Sequence, residues 1–398
     1  MEKLLFTPGP VSTLQSVKSQ MFKDFCSDEH EVINVIENVH YNLLNIVGQK
    51  GDSDYDVILL QGPGPYAIES AISSLIPHES RILLIVNGTN AERLIQITKI
   101  HDIEIMVLRF AINTAPNLQI ISGILVENPE ITHIALVHSE PDTGIVNPVD
   151  EIGQLSKVFR KTFLLDAIYS FGGIPLDIKE SNIDILISTS GICLEGVPGL
   201  SFVIAKQSIL NQQPQKPKTL SLDLISQYRE QKERGLFRFT PPVQLLMAFS
   251  EALSELKREG GVTVRTRRYY QNNRILVKGM KNLGFEPLTS EQNSGYFISV
   301  FRVPSKSFFN LEEFISEMYC RGFVLERPAS GGNSLLRIAS IGQIYPEDIQ
   351  EFLNEVEDIV NRVTMFNIDL SLRSEDNNLS KGLRLIHRRK RKSGIKEY

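Results

Sequence analysis

The chain has 398 residues, of which 42% are hydrophobic and 22% charged, an ordinary composition for a globular protein that buries a substantial core. Its three cysteines include no CxxC pair, so the sequence suggests neither a disulfide framework nor a metal site. No apolar run approaches the roughly 20 residues that a membrane-spanning helix needs, and no secretory leader follows Met1. We therefore expect a cytoplasmic protein without a membrane span.

The formal net charge of −5 is unevenly distributed along the chain. Residues 381–398 contain eight Lys and Arg side chains against one acid, Glu397, and a polar stretch precedes them. We expect residues 367–398 to form a polar linker and a disordered basic tail. Either the tail is only solvated, or it recruits an anionic partner such as nucleic acid, a lipid surface or an acidic protein.

The chain opens with a Pro- and Gly-rich arm over residues 1–15, where Pro8 and Pro10 exclude a helix. After a helical pattern at Glu31–Val47, strand and helix signals alternate. Helices are predicted at Tyr66–Leu75 and through Arg93 and Ile97. The predicted strands are Asp56–Leu60, Arg81–Val86, Glu104–Phe110, His133–Val137, Thr162–Leu165, Ile183–Ile187 and Leu200–Ala205. This alternation predicts an α/β domain over residues 16–260, with a mostly parallel sheet covered on both faces.

A smaller α+β domain is predicted over residues 261–366, after a boundary in the helical region near 260–285. Its strand signals are Tyr296–Phe301 and Leu335–Ile338. The helical patterns on either side of this boundary and within the smaller domain are Val243–Arg258, Thr263–Leu283, Leu311–Cys320 and Pro346–Met365.

The most informative stretch is residues 183–200, where two short apolar runs flank the pattern S-x-x-x-x-C-x-x-G-V-P-G. It reads as two neighbouring buried strands with a tight loop at the strand ends, where α/β proteins place their ligands. Further segments are T-P-G-P at Thr7, N-G-T-N-A-E-R at 87–93, H-S-E-P-D-T-G at 138–144 and L-L-D-A-I-Y ending at Tyr169. Together these segments resemble the class V, fold-type I pyridoxal-phosphate aminotransferases, above all the 2-aminoethylphosphonate–pyruvate transaminases. The resemblance covers roughly residues 4–366.

The resemblance implies a pyridoxal 5'-phosphate cofactor and assigns several positions around it. Asp166 corresponds to the acid against the pyridine nitrogen, although a buried Asp that caps the next turn is the plainer alternative. Gly64 belongs to the loop that cups the phosphate. Thr240 corresponds to a threonine that reaches the phosphate from a neighbouring subunit, which implies a dimer. Arg337 and Thr7 are expected on the substrate side, where Arg suits a carboxylate because it forms two parallel hydrogen bonds.

Other positions depart from the family pattern. Asn90 stands where the family has an aromatic ring over the cofactor, and losing that stacking removes about 1 kcal/mol or more. Asp142 replaces a hydroxyl residue near the phenolate edge of the cofactor, where a carboxylate repels an anion. Pro63 and Pro65 carry no N–H for the phosphate, although Pro65 is also a common first residue of a helix.

The lysine that forms the Schiff base in this family corresponds to Ile192. An isoleucine offers no amine for a Schiff base or for a proton transfer, and neither Lys161 nor Lys206 is a convincing substitute. Our leading hypothesis is a pseudoenzyme related to phosphonate metabolism. It would bind a small carboxylate or phosphonate, as a homodimer or as the partner of a lysine-bearing paralogue.

Two alternatives remain open at this stage. One is a transaminase or lyase that holds pyridoxal 5'-phosphate non-covalently and acts on an amino acid or aminophosphonate. The other is an interaction protein that is recruited through the basic tail.

Overall fold

A computed structural model describes residues 3–51, 53–212, 217–304, 309–328 and 332–362 of the chain. Its strands, in chain order, are β1 (Leu4–Leu5), β2 (Tyr55–Gln61), β3 (Arg81–Val86), β4 (Glu104–Arg109), β5 (His133–Val137), β6 (Ser139–Glu140), β7 (Ile145–Val146), β8 (Thr162–Asp166), β9 (Ile185–Thr189), β10 (Leu200–Lys206), β11 (Glu286–Pro287), β12 (Ile298–Arg302), β13 (Phe323–Val324) and β14 (Leu335–Ala339).

The helices lie mostly between these strands. They are α1 (Gln15–Ser19), α2 (His30–Ile46), α3 (Gly64–Leu75), α4 (Thr89–Ile100), α5 (Leu118–Glu127), α6 (Val149–Val158), α7 (Gln207–Leu210), α8 (Leu224–Arg234), α9 (Val243–Glu259), α10 (Val262–Asn282), α11 (Leu311–Cys320) and α12 (346–362), with short 3-10 turns at Gln20–Phe22 and Gly332–Ser334.

The central sheet has seven strands in the order β2-β10-β9-β8-β5-β3-β4. Its strands are parallel to their neighbours except β10, which runs antiparallel to both β2 and β9. Alternate residues of a strand point to opposite faces, and in β3 Leu83 and Leu84 accordingly enter two different apolar clusters. The predicted α/β class with a mostly parallel, doubly covered sheet is confirmed.

A separate three-stranded antiparallel sheet has the order β11-β12-β14, and its strands β11 and β12 contact the long helix α10. The N-terminal arm joins this region because Leu4 pairs in parallel with Phe323, and Phe6 stacks on Phe352 with ring centroids 4.6 Å apart. The arm is therefore anchored among C-terminal residues. The domain limits at 16–260 and 261–366 stay predictions.

Helix α8 is absent from the helices predicted from the sequence. The inward face of α8 includes glutamines, so the hydrophobic period is weak. Gln231 Oε1 accepts the N–H of Leu59 at 3.0 Å, and the Nε2 atoms of Gln227 and Gln231 donate to the Leu59 carbonyl at 3.1 Å. These amides satisfy the backbone of β2, which is an edge strand of the sheet.

The last described helix begins at residue 346 as predicted and runs through 362. The remainder of the predicted helix to Met365, the linker and the basic tail lie outside the described residues. None of the described helices combines the length and apolar character needed to cross a membrane.

Candidate active site

The candidate site lies at the carboxyl ends of the parallel strands, where the segments after β5, β8 and β9 approach the first turn of α4. The N–H of His138 donates to the carbonyl of Asp166 at 2.8 Å, which joins the ends of β5 and β8. The N–H of Ala167 donates to the carbonyl of Ile187 at 2.8 Å, which joins β8 to β9. Open α/β sheets bind ligands at this edge.

Asp166 is the last residue of β8 and is only 1% exposed. Its Oδ1 accepts the N–H of Ile168 at 2.9 Å, whereas its buried Oδ2 has no hydrogen-bond partner among the described residues. Burial raises the pKa of this carboxyl to about 6, although the Ile168 N–H and the charge of Arg93 both act to lower it. Local capping therefore satisfies one carboxylate oxygen and leaves the other without a donor.

Ile192 lies in the loop between β9 and β10, is 8% exposed and belongs to the same apolar cluster as Cys193 and Ile168. The N-terminal arm reaches this side chain directly. A Cβ added to Gly9 would overlap the Cδ1 atom of Ile192. An apolar side chain thus fills this position, and the arm lies against it.

A buried charged network fixes the backbone of this loop. Glu195 has a φ of 57° and accepts hydrogen bonds from Arg268 at 2.7 Å and from the hydroxyl of Tyr269 at 2.6 Å. Arg265, which is 1% exposed, donates to the carbonyl of Cys193 at 2.9 Å. Burial raises the pKa of the Cys193 thiol and keeps it protonated and unreactive. The loop is held rigidly from the side of α10.

Glu140 is fully buried and caps the first turn of α4. Its carboxylate accepts the N–H of Asn90 at 3.0 Å and the N–H of Ala91 at 2.9 Å, two of the donors that a helix start leaves unpaired. Burial raises the pKa of Glu140 to about 7 despite these bonds. The side-chain Nδ2 of Asn90 is buried and has no hydrogen-bond partner among the described residues.

Asp142 and Arg337 form an ion pair that links the large sheet to β14. Arg337 donates to Asp142 Oδ1 at 2.6 Å and to Glu326 at 2.9 Å, and Thr89 donates to Asp142 Oδ2 at 2.7 Å. The side chains of Asp142 and Arg337 are 4% and 11% exposed. The guanidinium that we expected to meet a substrate carboxylate therefore meets two carboxylates of the chain itself.

The start of α3 is crowded and poor in donors. The helix begins at Gly64, the N–H of Tyr66 donates to the Pro63 carbonyl at 2.9 Å, and Pro65 has no N–H. The side chain of Ile168 packs against Gly64 so closely that a Cβ there would overlap it. This helix start offers fewer free N–H groups to an anion than an ordinary one.

The two threonines have different surroundings. Thr7 is 3% exposed, and its hydroxyl donates to the carbonyl of Pro10 at 2.5 Å within the arm. Thr240 is exposed and lines a cavity of about 400 Å³ with Gly62 and Tyr66. Thr240 is thus presented on the surface of a single chain.

Both lysines considered above have partners elsewhere. The Nζ of Lys206 lies 2.6 Å from Asp184 Oδ1. Lys161 donates to the carbonyl of Pro129 at 2.9 Å, beside the start of β8, whereas Asp166 ends that strand.

Three contributors escaped the sequence analysis. Glu326 follows a two-residue strand and carries no motif, so no signal indicated its pairing with Arg337. Arg265 and Arg268 lie three residues apart on α10, so their side chains are neighbours on one face of the helix. This spacing indicates a shared partner but does not identify that partner as Glu195.

Comparison with known proteins identifies the class to which this fold and site belong. Residues 14–307 match the family model described as Aminotransferase class-V, so the chain belongs to the class V aminotransferases, whose members depend on pyridoxal 5'-phosphate.

Within that family, the chain is similar to 2-aminoethylphosphonate–pyruvate transaminases. The protein of that name from Lysinibacillus sphaericus is 37% identical over 353 residues, which cover 89% of this chain and 96% of the relative. The one from Vibrio cholerae serotype O1 is 38% identical over 356 residues, with coverages of 89% and 96%.

Solved structures show the same fold at lower identity. An aspartate aminotransferase of subgroup IV from Thermus thermophilus superposes with a TM-score of 0.81 at 20% identity, covering 90% of this chain and 99% of its own. An alanine–glyoxylate aminotransferase from Nostoc sp. gives 0.83 at 19% identity, with coverages of 90% and 96%. The predicted fold type I is confirmed.

Proposed function

We propose that this chain is a 2-aminoethylphosphonate–pyruvate transaminase-like protein that does not run ordinary transamination and acts as a binding or partner subunit. The observation that carries this proposal is the place of Ile192. It is buried beneath Gly9 at the position that the family resemblance gives to the Schiff-base lysine. No amine is available there to form a covalent link or to move a proton.

The surrounding residues support the same proposal because most of them do not fit pyridoxal 5'-phosphate. The unpartnered Oδ2 of Asp166 suits a pyridine N–H. Against it, Asn90 provides no aromatic face, and Pro65 removes a donor from the start of α3.

The substrate side supports it as well. An arginine that bound a substrate carboxylate would have to exchange Asp142 or Glu326 for it, and Asp142 is almost completely buried. Breaking a buried ion pair leaves the remaining carboxylate uncompensated, which costs several kcal/mol. Arg337 is therefore a poor receptor for a small external carboxylate.

A partner role is part of the proposal. The resemblance expects Thr240 to reach into a neighbouring subunit, and its surface position suits a dimer. The second copy is either this chain or a lysine-bearing paralogue. The role of the basic tail stays a prediction, since residues 381–398 lie outside the described residues.

The unpartnered oxygen of Asp166 also favours a second candidate, an enzyme that holds pyridoxal 5'-phosphate without a covalent bond. The two functions differ in what the wild-type chain does with the cofactor. Under the proposed function, the wild-type chain does not combine saturable cofactor binding with amino transfer. The second candidate requires both saturable cofactor binding and amino transfer by the wild type.

The test is a titration of the full chain with pyridoxal 5'-phosphate, followed by near-ultraviolet and visible absorbance. Borohydride reduction and mass spectrometry then detect any covalent adduct. Ile192→Lys restores the amine, and Ile192→Met serves as a length-matched control without one. A parallel assay follows amino transfer from 2-aminoethylphosphonate to pyruvate.

We expect a trapped adduct at position 192 in Ile192→Lys and none in Ile192→Met. The wild type should show neither an adduct nor amino transfer. Cofactor-dependent amino transfer by the wild type would overturn the proposal and establish the second candidate.

A further inference from the structure

A separate cavity lies between helix α10 and the segment that contains β11 and the start of β12. Its volume is about 360 Å³, which falls within the range of small-molecule sites. Its lining comes from one face of α10 between Tyr270 and Lys281, from residues 287–300 and from Thr143, and we call it the α10 cavity. None of the residues that we place in the candidate active site lines it.

One wall of the α10 cavity is a stripe of positive charge. Helix α10 contains six Lys and Arg residues and no Asp or Glu. Two of the six, Arg265 and Arg268, belong to the buried network described above. Arg274, Lys278 and Lys281 line the cavity, where they are exposed and make no ion pair with a carboxylate of the described residues. Like charges at spacings of three and four repel each other on a helix, and an anion in the cavity would relieve that repulsion.

The lining of the cavity has an excess of positive charge. Glu291 is the one acidic residue among the described residues that line it, so three cations against one carboxylate leave a net charge of +2. A concave surface lined mainly by one sign of charge focuses the electrostatic field and concentrates counter-ions. A phosphate monoester carries about −1.5 to −2 charges near pH 7, which matches this excess.

Two tyrosines give the cavity an aromatic wall. Tyr270 is 52% exposed, and its ring meets the ring of Tyr296 edge to face with centroids 6.2 Å apart. Tyr296 in turn packs edge to face on the buried ring of Phe297, with centroids 5.6 Å apart. The guanidinium carbon of Arg274 lies 5.9 Å from the centre of the Tyr270 ring. One ligand can therefore contact an aromatic face and a cation together, and flat rings stack on such faces.

The floor of the cavity is polar and fixed by hydrogen bonds within the chain. Asn273 Nδ2 donates to the hydroxyl of Ser299 at 2.7 Å, and Ser299 is 4% exposed. The hydroxyl of Thr289, which is 6% exposed, donates to the carbonyl of Thr143 at 2.6 Å. The side-chain oxygen of Asn273 and the hydroxyl hydrogen of Ser299 have no partner within the described residues. The floor therefore offers an acceptor and a donor to a ligand.

We propose that the α10 cavity binds a small molecule that joins a flat ring to a phosphate, of the nucleoside monophosphate class. The phosphate binds Arg274 and Lys278, because a guanidinium forms two parallel hydrogen bonds with phosphate oxygens and a lysine adds a point charge. The ring stacks on Tyr270, and its polar edge meets the floor. This inference goes beyond the proposed function and does not depend on it, since no residue of the candidate active site takes part.

The test measures binding of AMP to the full chain by calorimetry at neutral pH and moderate salt, after absorbance has shown that the preparation contains no pyridoxal 5'-phosphate. Adenosine lacks the phosphate, and ribose 5-phosphate lacks the aromatic ring. We expect saturable binding of AMP. Adenosine should bind more weakly by about 10-fold or more, and ribose 5-phosphate by about 5-fold or more.

Because residues 381–398 are also basic, variants of the cavity decide where the ligand binds. Arg274→Gln should weaken both AMP and ribose 5-phosphate by about 10-fold or more, since each loses hydrogen bonds between charged groups. Tyr270→Leu should weaken AMP by about 5-fold or more and leave ribose 5-phosphate unchanged, because only AMP has an aromatic ring to stack.

Arg302→Gln, at an exposed arginine of β12 outside the cavity lining, is the matched control and should bind AMP as the wild type does. Circular dichroism checks that each variant is folded. Arg274 and Tyr270 are both exposed, so we expect their substitutions to leave the fold intact.

Wild-type protein that does not bind AMP would overturn the inference. So would equal AMP affinity in the folded Arg274→Gln or Tyr270→Leu variant, or ribose 5-phosphate binding as tightly as AMP. A single-stranded oligonucleotide that binds more tightly than AMP and is weakened by Arg274→Gln would also overturn it, in favour of a nucleic-acid surface. These outcomes leave the proposed function intact, because it fails only if the wild type transfers the amino group.

Discussion

Two regions on either side of the loop after β9 differ in how their polar and charged groups are paired. Toward α10, the charged groups are paired: Glu195 meets Arg268 and Tyr269, and Arg265 binds the loop carbonyl of Cys193. Toward α4, Asn90 Nδ2 and Asp166 Oδ2 are buried without hydrogen-bond partners among the described residues. Both regions are largely shielded from water, so solvent exposure does not explain the difference.

The difference between the two regions lies in how completely their buried polar groups are paired. A satisfied buried network fixes a loop in one conformation. Buried polar atoms without partners cost stability, so native proteins leave few of them. The network that holds the loop around position 192 is therefore fully paired on the side of α10, whereas the side of α4 keeps buried polar atoms without partners among the described residues.

Breaking the paired region should have the largest effect. Arg265→Met replaces a buried guanidinium with an apolar side chain and leaves Glu259 and Glu195 short of a counter-charge. Removing one member of a buried ion pair costs about 3–5 kcal/mol, so we expect the free energy of unfolding to fall by that amount. Denaturant unfolding followed by circular dichroism measures it.

The control for that experiment is Arg258→Met, which removes exposed ion pairs to Glu251 and Glu255. Exposed pairs contribute about 1 kcal/mol or less, so this variant should remain close to the wild type. A loss of similar size in both variants would show that the network around Arg265 is not the special feature of the loop.

The unpaired region should respond to pH. Burial raises the pKa of Asp166 to about 6 in the folded protein, against an ordinary aspartate value of about 3.9. Between these values the folded state holds a proton that the unfolded state has lost, so the contribution of Asp166 to stability falls as pH rises through this window and is constant above it. Asparagine does not titrate, so Asp166→Asn removes this fall in stability with rising pH.

We therefore expect the stability of Asp166→Asn relative to wild type to rise by about 2 kcal/mol between pH 4 and pH 7. Unfolding curves at several pH values measure the difference, in which the contributions of other titrating groups largely cancel. Ser139→Ala, a neutral change at a buried residue nearby, should give a difference that does not vary with pH. A flat difference for Asp166→Asn would mean that its carboxyl is not desolvated as described.

The fold could be predicted from the sequence because apolar runs of strand length account for nearly the whole central sheet. The strand at His133–Val137, for example, was assigned residue for residue from its β-branched and apolar composition. Helix α8 was not predicted because its buried face is made partly of glutamines. These glutamines form hydrogen bonds with Leu59 of β2, a tertiary contact that the spacing of hydrophobic residues does not indicate.

The candidate site was predictable only in part. Motif positions located Asp166, Asp142 and Arg337, and they predicted that a carboxylate at 142 disturbs an anion site. They did not predict that Asp142 pairs with Arg337, since the two residues are 195 positions apart in the chain. That contact depends on how β14 docks against the large sheet.

The smallest predicted effect concerns the arm over Ile192. Gly9→Ala places a methyl group where the Cδ1 of Ile192 lies, and overpacking of this kind costs about 1–3 kcal/mol. Ile192→Val removes that same carbon and alone costs about 1 kcal/mol. If the arm packs on this atom, the double variant should be more stable than the sum of the single changes implies, with a coupling of about 1 kcal/mol.

A double-mutant cycle of unfolding free energies measures this coupling. Ile178→Val, at a buried isoleucine of the other apolar cluster, is the matched control and should combine additively with Gly9→Ala. Additive behaviour with Ile192→Val would separate the arm from this side chain. A clear coupling would show that the arm covers position 192 in solution, so a ligand that reaches this side chain from the side of the arm must displace the arm.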